Sequence, residues 1–152
     1  MANTQAMCTS FMSELMTATH NFTTGTGNSF KAALYLASAT VNASTTAYSS
    51  TGEVTGTNYT AGGVAVTNGT SPLSTNTSTT AGTGYWTPSA SITYTNVTLS
   101  TAFDAVLIYN SSSSNKAVSV HTFGSQTVTA GTFTLTMPSN TTSTALLRLA
   151  TT

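Results

Sequence analysis

Apolar and polar residues alternate with a period of two through much of this chain after residue 30, which predicts β-strands. The clearest case is 132–137, where Phe133, Leu135 and Met137 fall on one face and threonines fall on the other. Because successive side chains of a strand point to opposite faces, such a segment buries one face and exposes the other. We predict strands at 30–37, 63–67, 84–87, 91–99, 103–109, 117–123, 126–129, 132–137 and 145–150.

Turn-forming residues separate these segments, with Gly-Gly at 62–63, Asn-Gly at 68–69 and Pro-Ser-Asn at 138–140. Many short strands joined by such turns are typical of an antiparallel sheet structure. We therefore predict a mainly β fold in which 30–152 forms one antiparallel β-sandwich or barrel-like domain. The stretch 71–83 is dominated by Ser, Thr and Asn, and we predict that it is an exposed loop.

The first 22 residues follow a different pattern, with apolar residues at the spacing of a helix. Asn3 or Thr4 can cap such a helix at its N-terminus. We predict an N-terminal amphipathic helix within 1–22 that packs across one open end or edge of the β domain. Its apolar stripe is a candidate interface with another protein or another protomer, although such a stripe more often forms domain core, and it consists of Met7, Phe11, Leu15 and Met16.

Charged residues are rare, with three Lys or Arg and three Asp or Glu, so that 4% of the chain is charged. An ordinary soluble domain is about 25% charged, and here Ser and Thr fill more than a third of the positions instead. The formal net charge of zero argues against nucleic-acid binding, which depends on clustered cations. We expect no membrane span and no signal peptide, and therefore synthesis in a cytoplasm.

The residues that could carry chemistry are too few and too scattered to predict an enzyme. A histidine-activated nucleophile needs an orienting carboxylate, and the sequence places none of the three acids beside His121. His20 is expected at the end of the helix, in a surface or hydrogen-bonding role. Cys8 is the single cysteine, and we expect a small buried thiol on the helix. We predict no catalytic site, no cofactor and no metal site.

Two further features concern charge pairing and surface chemistry. Asp104 lies within a predicted strand, where we expect it to pair with Lys116 or Arg148. Tyr85 and Trp86 form a candidate glycan or partner surface, although such aromatic pairs more often belong to a core or an interface.

The order of several segments resembles a family of small virion structural proteins of tailed bacteriophages. The resemblance is carried by YSSTGEVTGTNYTAGGV at 48–64, KAALYLA at 31–37, FDAVLIY at 103–109, MANTQAMCTSF at 1–11 and VSVHTFGSQTV at 118–128. The glycines of 48–64 permit a well-ordered loop that touches a neighbour, or an ordinary connection between strands. The resemblance brings no catalytic or ligand-binding residues with it.

This resemblance implies a virion protein, for which we favour a capsid decoration (cement) protein. Such a protein would bind the major capsid protein and itself, as a homo-oligomer, and the helix stripe is the candidate contact. The alternative is a tail, baseplate or fibre component that binds a receptor or a glycan. A different class of function, a carbohydrate-binding module or bacterial adhesin, also stays open.

Overall fold

The computed structural model describes residues 2–77 and 80–151 and is mainly β, as the alternation predicted. The strands that the pattern placed at 30–37, 63–67, 84–87 and 145–150 are all present, with shifted ends. The elements, in chain order, are β1 (Ala6–Met7), α1 (Thr9–Met16), β2 (Phe30–Leu36), β3 (Val64–Val66), β4 (Leu73–Thr77), β5 (Thr80–Trp86), β6 (Ile92–Asn110), β7 (Lys116–Leu135) and β8 (Leu147–Ala150).

The strands form two antiparallel sheets in a sandwich-like arrangement. The larger sheet has the order β1-β7-β6-β2-β3, and the smaller has the order β4-β5-β8. Within the described residues neither sheet closes on itself, so the barrel-like alternative is not what forms. No helix in this part of the chain is long and apolar enough to cross a membrane.

β6 and β7 form one long hairpin, where the sequence pattern predicted five separate strands. The shorter strands run together because β-bulges absorb the residues that looked like turns. Register shifts occur between Tyr94 and Val97 and again between Leu99 and Phe103. Ala130, between the predicted strands 126–129 and 132–137, has a φ of 46° and stays inside β7.

The prediction that 71–83 is an exposed loop was wrong, because most of it forms β4 and the first part of β5. Ser74 pairs with Gly84 and Thr75 pairs with Thr83. Threonine is β-branched and fits a pleated sheet, so a polar Thr-rich run can form a strand without an apolar face to signal it. Residues 78 and 79 of the predicted loop lie outside the described residues.

The core is built mainly from β2, β6 and β7. Phe30, Leu34, Phe103, Leu107 and Val118 are each at most 1% exposed. Residues from the small sheet and from the N-terminal region belong to the same buried cluster, and these are Phe11, Phe22, Trp86 and Leu147. The helix therefore packs on the same core as both sheets.

The helix begins later than the predicted caps at Asn3 and Thr4. Residues 6–7 pair with β7 as a strand, and α1 starts at Thr9 with Cys8 in the N-cap position. Asn3 cannot cap the helix because its side chain is used elsewhere. Its Nδ2 donates to the carbonyl of Leu36 at 2.9 Å, and its Oδ1 accepts from the Val41 N–H at 3.1 Å.

Asp104 does not form the predicted ion pair with Lys116 or Arg148. Its Oδ1 instead accepts a hydrogen bond from Asn3 Nδ2 at 2.6 Å. Lys116 contacts Glu14, whereas Arg148 donates to the carbonyls of Thr142 and Ser143. A neutral amide on the N-terminal segment thus takes the place of the expected cation.

Candidate functional site

An apolar groove lies between α1 and the three-stranded sheet. Its volume is about 150 Å³. Part of the helix stripe, Phe11 and Leu15, meets the Tyr-Trp pair in its lining, whereas Met7 and Met16 lie outside it. The lining includes Phe11, Leu15, Phe22, Tyr85, Trp86 and Leu149.

Gly84 on β5 leaves the space that forms part of this groove. It pairs with Leu149 on β8, so the two residues lie side by side on the sheet. A Cβ atom added at Gly84 would meet only the Leu149 carbonyl oxygen, at 3.9 Å. The width of the groove therefore depends on the absence of a side chain in Gly84, and a larger residue at position 84 would narrow the groove.

Trp86 lines the groove from within the core, which is the more frequent role that we gave for this aromatic pair. It is 2% exposed, and its ring lies 4.7 Å from that of Phe22. Its indole N–H donates to Asn68 Oδ1 at 3.1 Å and to the Thr70 carbonyl at 3.0 Å. A glycan platform needs an open ring face, so Trp86 is a poor candidate for one. Tyr85 is half-buried and keeps a place in the groove lining.

The predicted helix stripe divides between core and surface. Phe11 is buried, Leu15 and Met7 are half-buried against the core, and Met16 is 83% exposed. Helical geometry puts Met12 and Met16 on a face that flanks Phe11 and Leu15, because residues four apart lie one above the other.

The exposed large apolar side chains in the described part of the chain are found at this groove and on its helical wall. Leu73 and Leu149 line the groove, and Met12 and Met16 lie on α1. We call the groove and these four side chains the groove face. Exposed apolar surface of this kind marks interaction sites in soluble proteins.

A polar cluster joins α1 to the large sheet. Glu14 Oε1 lies 2.5 Å from Lys116 Nζ, and Glu14 Oε2 lies 2.7 Å from His20 Nε2. Asn110 Nδ2 lies 3.2 Å from His20 Nδ1, so the His20 ring contacts β6 as well as Glu14. Burial acts to raise the pKa of Glu14, but the hydrogen bonds and charges of Lys116 and His20 hold it below its ordinary value. His20 has the hydrogen-bonding role that we predicted, in a buried position.

Cys8 is a buried thiol, as predicted, with no exposed surface. Burial, aided by the negative charge of Glu14, raises its pKa to about 11. A thiol that keeps its proton is a poor nucleophile and a poor metal ligand. The described residues contain no group of three or more His, Cys, Asp or Glu side chains that could hold a metal ion.

His121 pairs with a serine on its own strand. Its Nε2 lies 2.9 Å from Ser119 Oγ, and burial lowers the pKa of the imidazole to about 4. A base this weak takes a proton poorly at neutral pH, so the pair lacks an effective general base. The arrangement is a local hydrogen bond and not an activated nucleophile.

The 48–64 segment is fastened by a buried carboxylate, a feature that sequence reasoning missed. Glu53 is 6% exposed, and its Oε2 accepts from the Tyr48 hydroxyl at 2.6 Å. Its Oε1 accepts from the Tyr59 hydroxyl and the Gly62 N–H, each at 2.8 Å. Burial, with the hydrogen bond to Glu53, raises the pKa of both tyrosines. The signal in the sequence that could have predicted this network is the position of Glu53 between Tyr48 and Tyr59, within six residues of each.

The ionisable groups around α1 and 48–64 are thus engaged in structural contacts, and the groove face offers neutral apolar surface. Such a site can bury apolar side chains from a neighbour, because its lining gains by leaving water. Comparisons with protein-family models, with curated proteins and with solved structures found no match for this chain.

Proposed function

We propose that this chain is a structural protein of a bacteriophage virion, where it decorates the capsid and packs against the major capsid protein and further copies of itself. The observation that carries the proposal is the groove face, an open apolar groove with the exposed side chains of Leu73 and Leu149 in its lining and those of Met12 and Met16 on the adjoining helix. The resemblance of 48–64 and the other segments to small phage virion proteins is the reason for proposing that the partner particle is a phage virion. We also propose that the two antiparallel sheets form a single β-sandwich domain.

The near absence of charge supports association as the role of this surface. With 4% charged residues and zero net charge, the chain has little electrostatic repulsion to oppose contact between copies. Burial of a fully exposed Leu or Met contributes roughly 1.5–3 kcal/mol, and the half-exposed side chains of Met12, Leu73 and Leu149 would each contribute about half of that. On a lattice, several weak contacts made at once add up to firm attachment.

The test is attachment to particles that lack the protein, measured by co-sedimentation of the purified chain. Gly84→Val fills part of the groove without adding charge, and we expect it to reduce attachment. Gly124→Val is the matched control, because a Cβ there has no atom within 4 Å and the residue lies on β7, outside the groove lining. Equal attachment of both variants and the unmodified chain would remove the groove face from the proposal.

Imaging of whole particles by electron cryomicroscopy tests the location. Copies spread over the capsid would support decoration, whereas a few copies at one vertex would favour the tail, baseplate or fibre alternative. Absence of the chain from purified particles would overturn the virion assignment altogether.

A further inference from the structure

The helix α1 has little intrinsic stability of its own. It is eight residues long, Cys8 at its N-cap makes no side-chain capping bond, and its first turn has no acid and its last turn no base. Helices shorter than about 12–15 residues are marginal in water. Contacts with the rest of the fold must therefore hold α1 in place.

Backbone hydrogen bonds, apolar packing and one polar side-chain contact do so: the Thr9 N–H donates to the Ala43 carbonyl at 2.8 Å, and Leu15 packs half-buried against the core. Phe11 is buried, with its ring 4.9 Å from that of His20 and 6.0 Å from that of Phe22. Glu14 reaches Lys116 at the start of β7 and His20 in the segment after the helix. The polar contact is the one that the proton concentration can change.

The groups that face Glu14 come from each neighbouring element. β7 contributes Lys116, the segment after α1 contributes His20, and the start of the helix contributes the Cys8 thiol. Among the acidic side chains of the described residues, Glu14 alone forms salt bridges. Protonation of Glu14 would leave Lys116 without an anionic partner beside the helix.

We propose that α1 is an acid-released flap of the groove: protonation of Glu14 frees the helix from Lys116 and His20, and the wall formed by Phe11 and Leu15 moves away. The sign follows from the pKa of Glu14, which is lowered in the folded protein. A carboxylate with a lowered pKa stabilises the closed state at pH values above its unfolded pKa. That contribution is lost as the pH falls below the ordinary value of 4.5 and through the lowered one.

The single tryptophan of the chain reports this motion, because Trp86 lies in the groove lining against Phe22. Quenching of its fluorescence by acrylamide is measured from pH 7 to pH 3. We expect quenching to rise at acidic pH while the amides of β6 and β7 stay protected from hydrogen exchange. Simultaneous loss of protection in α1 and in the hairpin would overturn the flap.

Variants separate Glu14 from other causes of acid sensitivity. In Glu14→Gln the two charge-assisted bonds are lost, so exchange of the α1 amides at pH 7 should increase by about tenfold or more. Lys116→Gln should also increase exchange of the α1 amides, and it replaces Glu14→Gln as the test if that variant folds poorly. His121→Gln removes another acid-titrating group and should leave the Trp86 quenching curve unchanged. Wild-type exchange of α1 in both Glu14→Gln and Lys116→Gln would contradict the proposal.

Discussion

The buried carboxylate of Glu53 should be among the most stabilising side chains of the 48–64 segment. Its two oxygens accept three hydrogen bonds, from Tyr48, Tyr59 and the Gly62 N–H. Glu53→Ala leaves three donors without an acceptor, and each buried unpaired donor costs about 1–3 kcal/mol. Some of that cost is offset, because a buried charge no longer has to be desolvated. We expect the free energy of unfolding to fall by about 3–5 kcal/mol.

The assay is urea unfolding at pH 7, followed by Trp86 fluorescence and, separately, by far-ultraviolet circular dichroism. Glu53→Gln keeps the shape and one acceptor oxygen, so it should cost less than half as much as the alanine variant. Asp104→Ala is a comparison at another acid, which accepts a hydrogen bond from Asn3. A loss below about 1 kcal/mol in Glu53→Ala, less than one charged hydrogen bond, would refute the reasoning.

The two tyrosines of this network should differ in a predictable way. The Tyr59 hydroxyl donates to Glu53 and also accepts from the Leu34 N–H at 3.0 Å, whereas the Tyr48 hydroxyl donates to Glu53 alone. Tyr59→Phe should therefore cost about twice as much as Tyr48→Phe, at roughly 1 kcal/mol per bond. Double-mutant cycles with Glu53→Gln isolate the pairwise energies.

Three further outcomes are expected. Gly63→Ala should prevent folding, because a Cβ there would lie 1.7 Å from the Ala32 carbonyl oxygen and the residue has a φ of +71°. The control Gly124→Ala should leave the thermal midpoint and the soluble yield unchanged. Because burial lowers the pKa of His121 from 6.5 to about 4, stability should fall as the pH drops between these values. The loss is at most about 3 kcal/mol, and urea titrations of His121→Gln should show a shallower pH dependence. The Cys8 thiol, with a pKa near 11, should react with a disulfide reagent at pH 8 only after unfolding.

The period-two pattern predicted the β character well, because the core-facing residues of β2, β6 and β7 are large and apolar. Phe133 and Leu135 alternate with threonines, and they are half-buried against the core as this alternation implies. The helix was predicted from the stripe of Met7, Phe11, Leu15 and Met16. Phe11 and Leu15 do face inward, whereas Met7 lies in β1 and Met16 is exposed. What the pattern captured is the burial of one face of each element.

The pattern could not show where strands continue or which distant residues meet. A β-bulge at Ala130 looks like a turn in the sequence, and a Thr-rich strand such as β4 has no apolar face to reveal it. The groove joins α1 to β5 and β8 across more than 60 positions of the chain, and depends on a glycine. Local periodicity has no information about such contacts.

The order of strands in the large sheet sets an order of events during synthesis. β2 pairs with β3 on one side and with β6 on the other, so Phe30 can meet Val66 early but reaches its second partner, Asn110, only after the chain has been extended that far. The β6–β7 hairpin closes across a short turn and can form first, as a template onto which the earlier segments add. A nascent chain that has been extended only to residue 90 therefore holds an apolar strand, β2, whose edge toward β6 is unpaired, and chaperones would find that edge accessible at that stage.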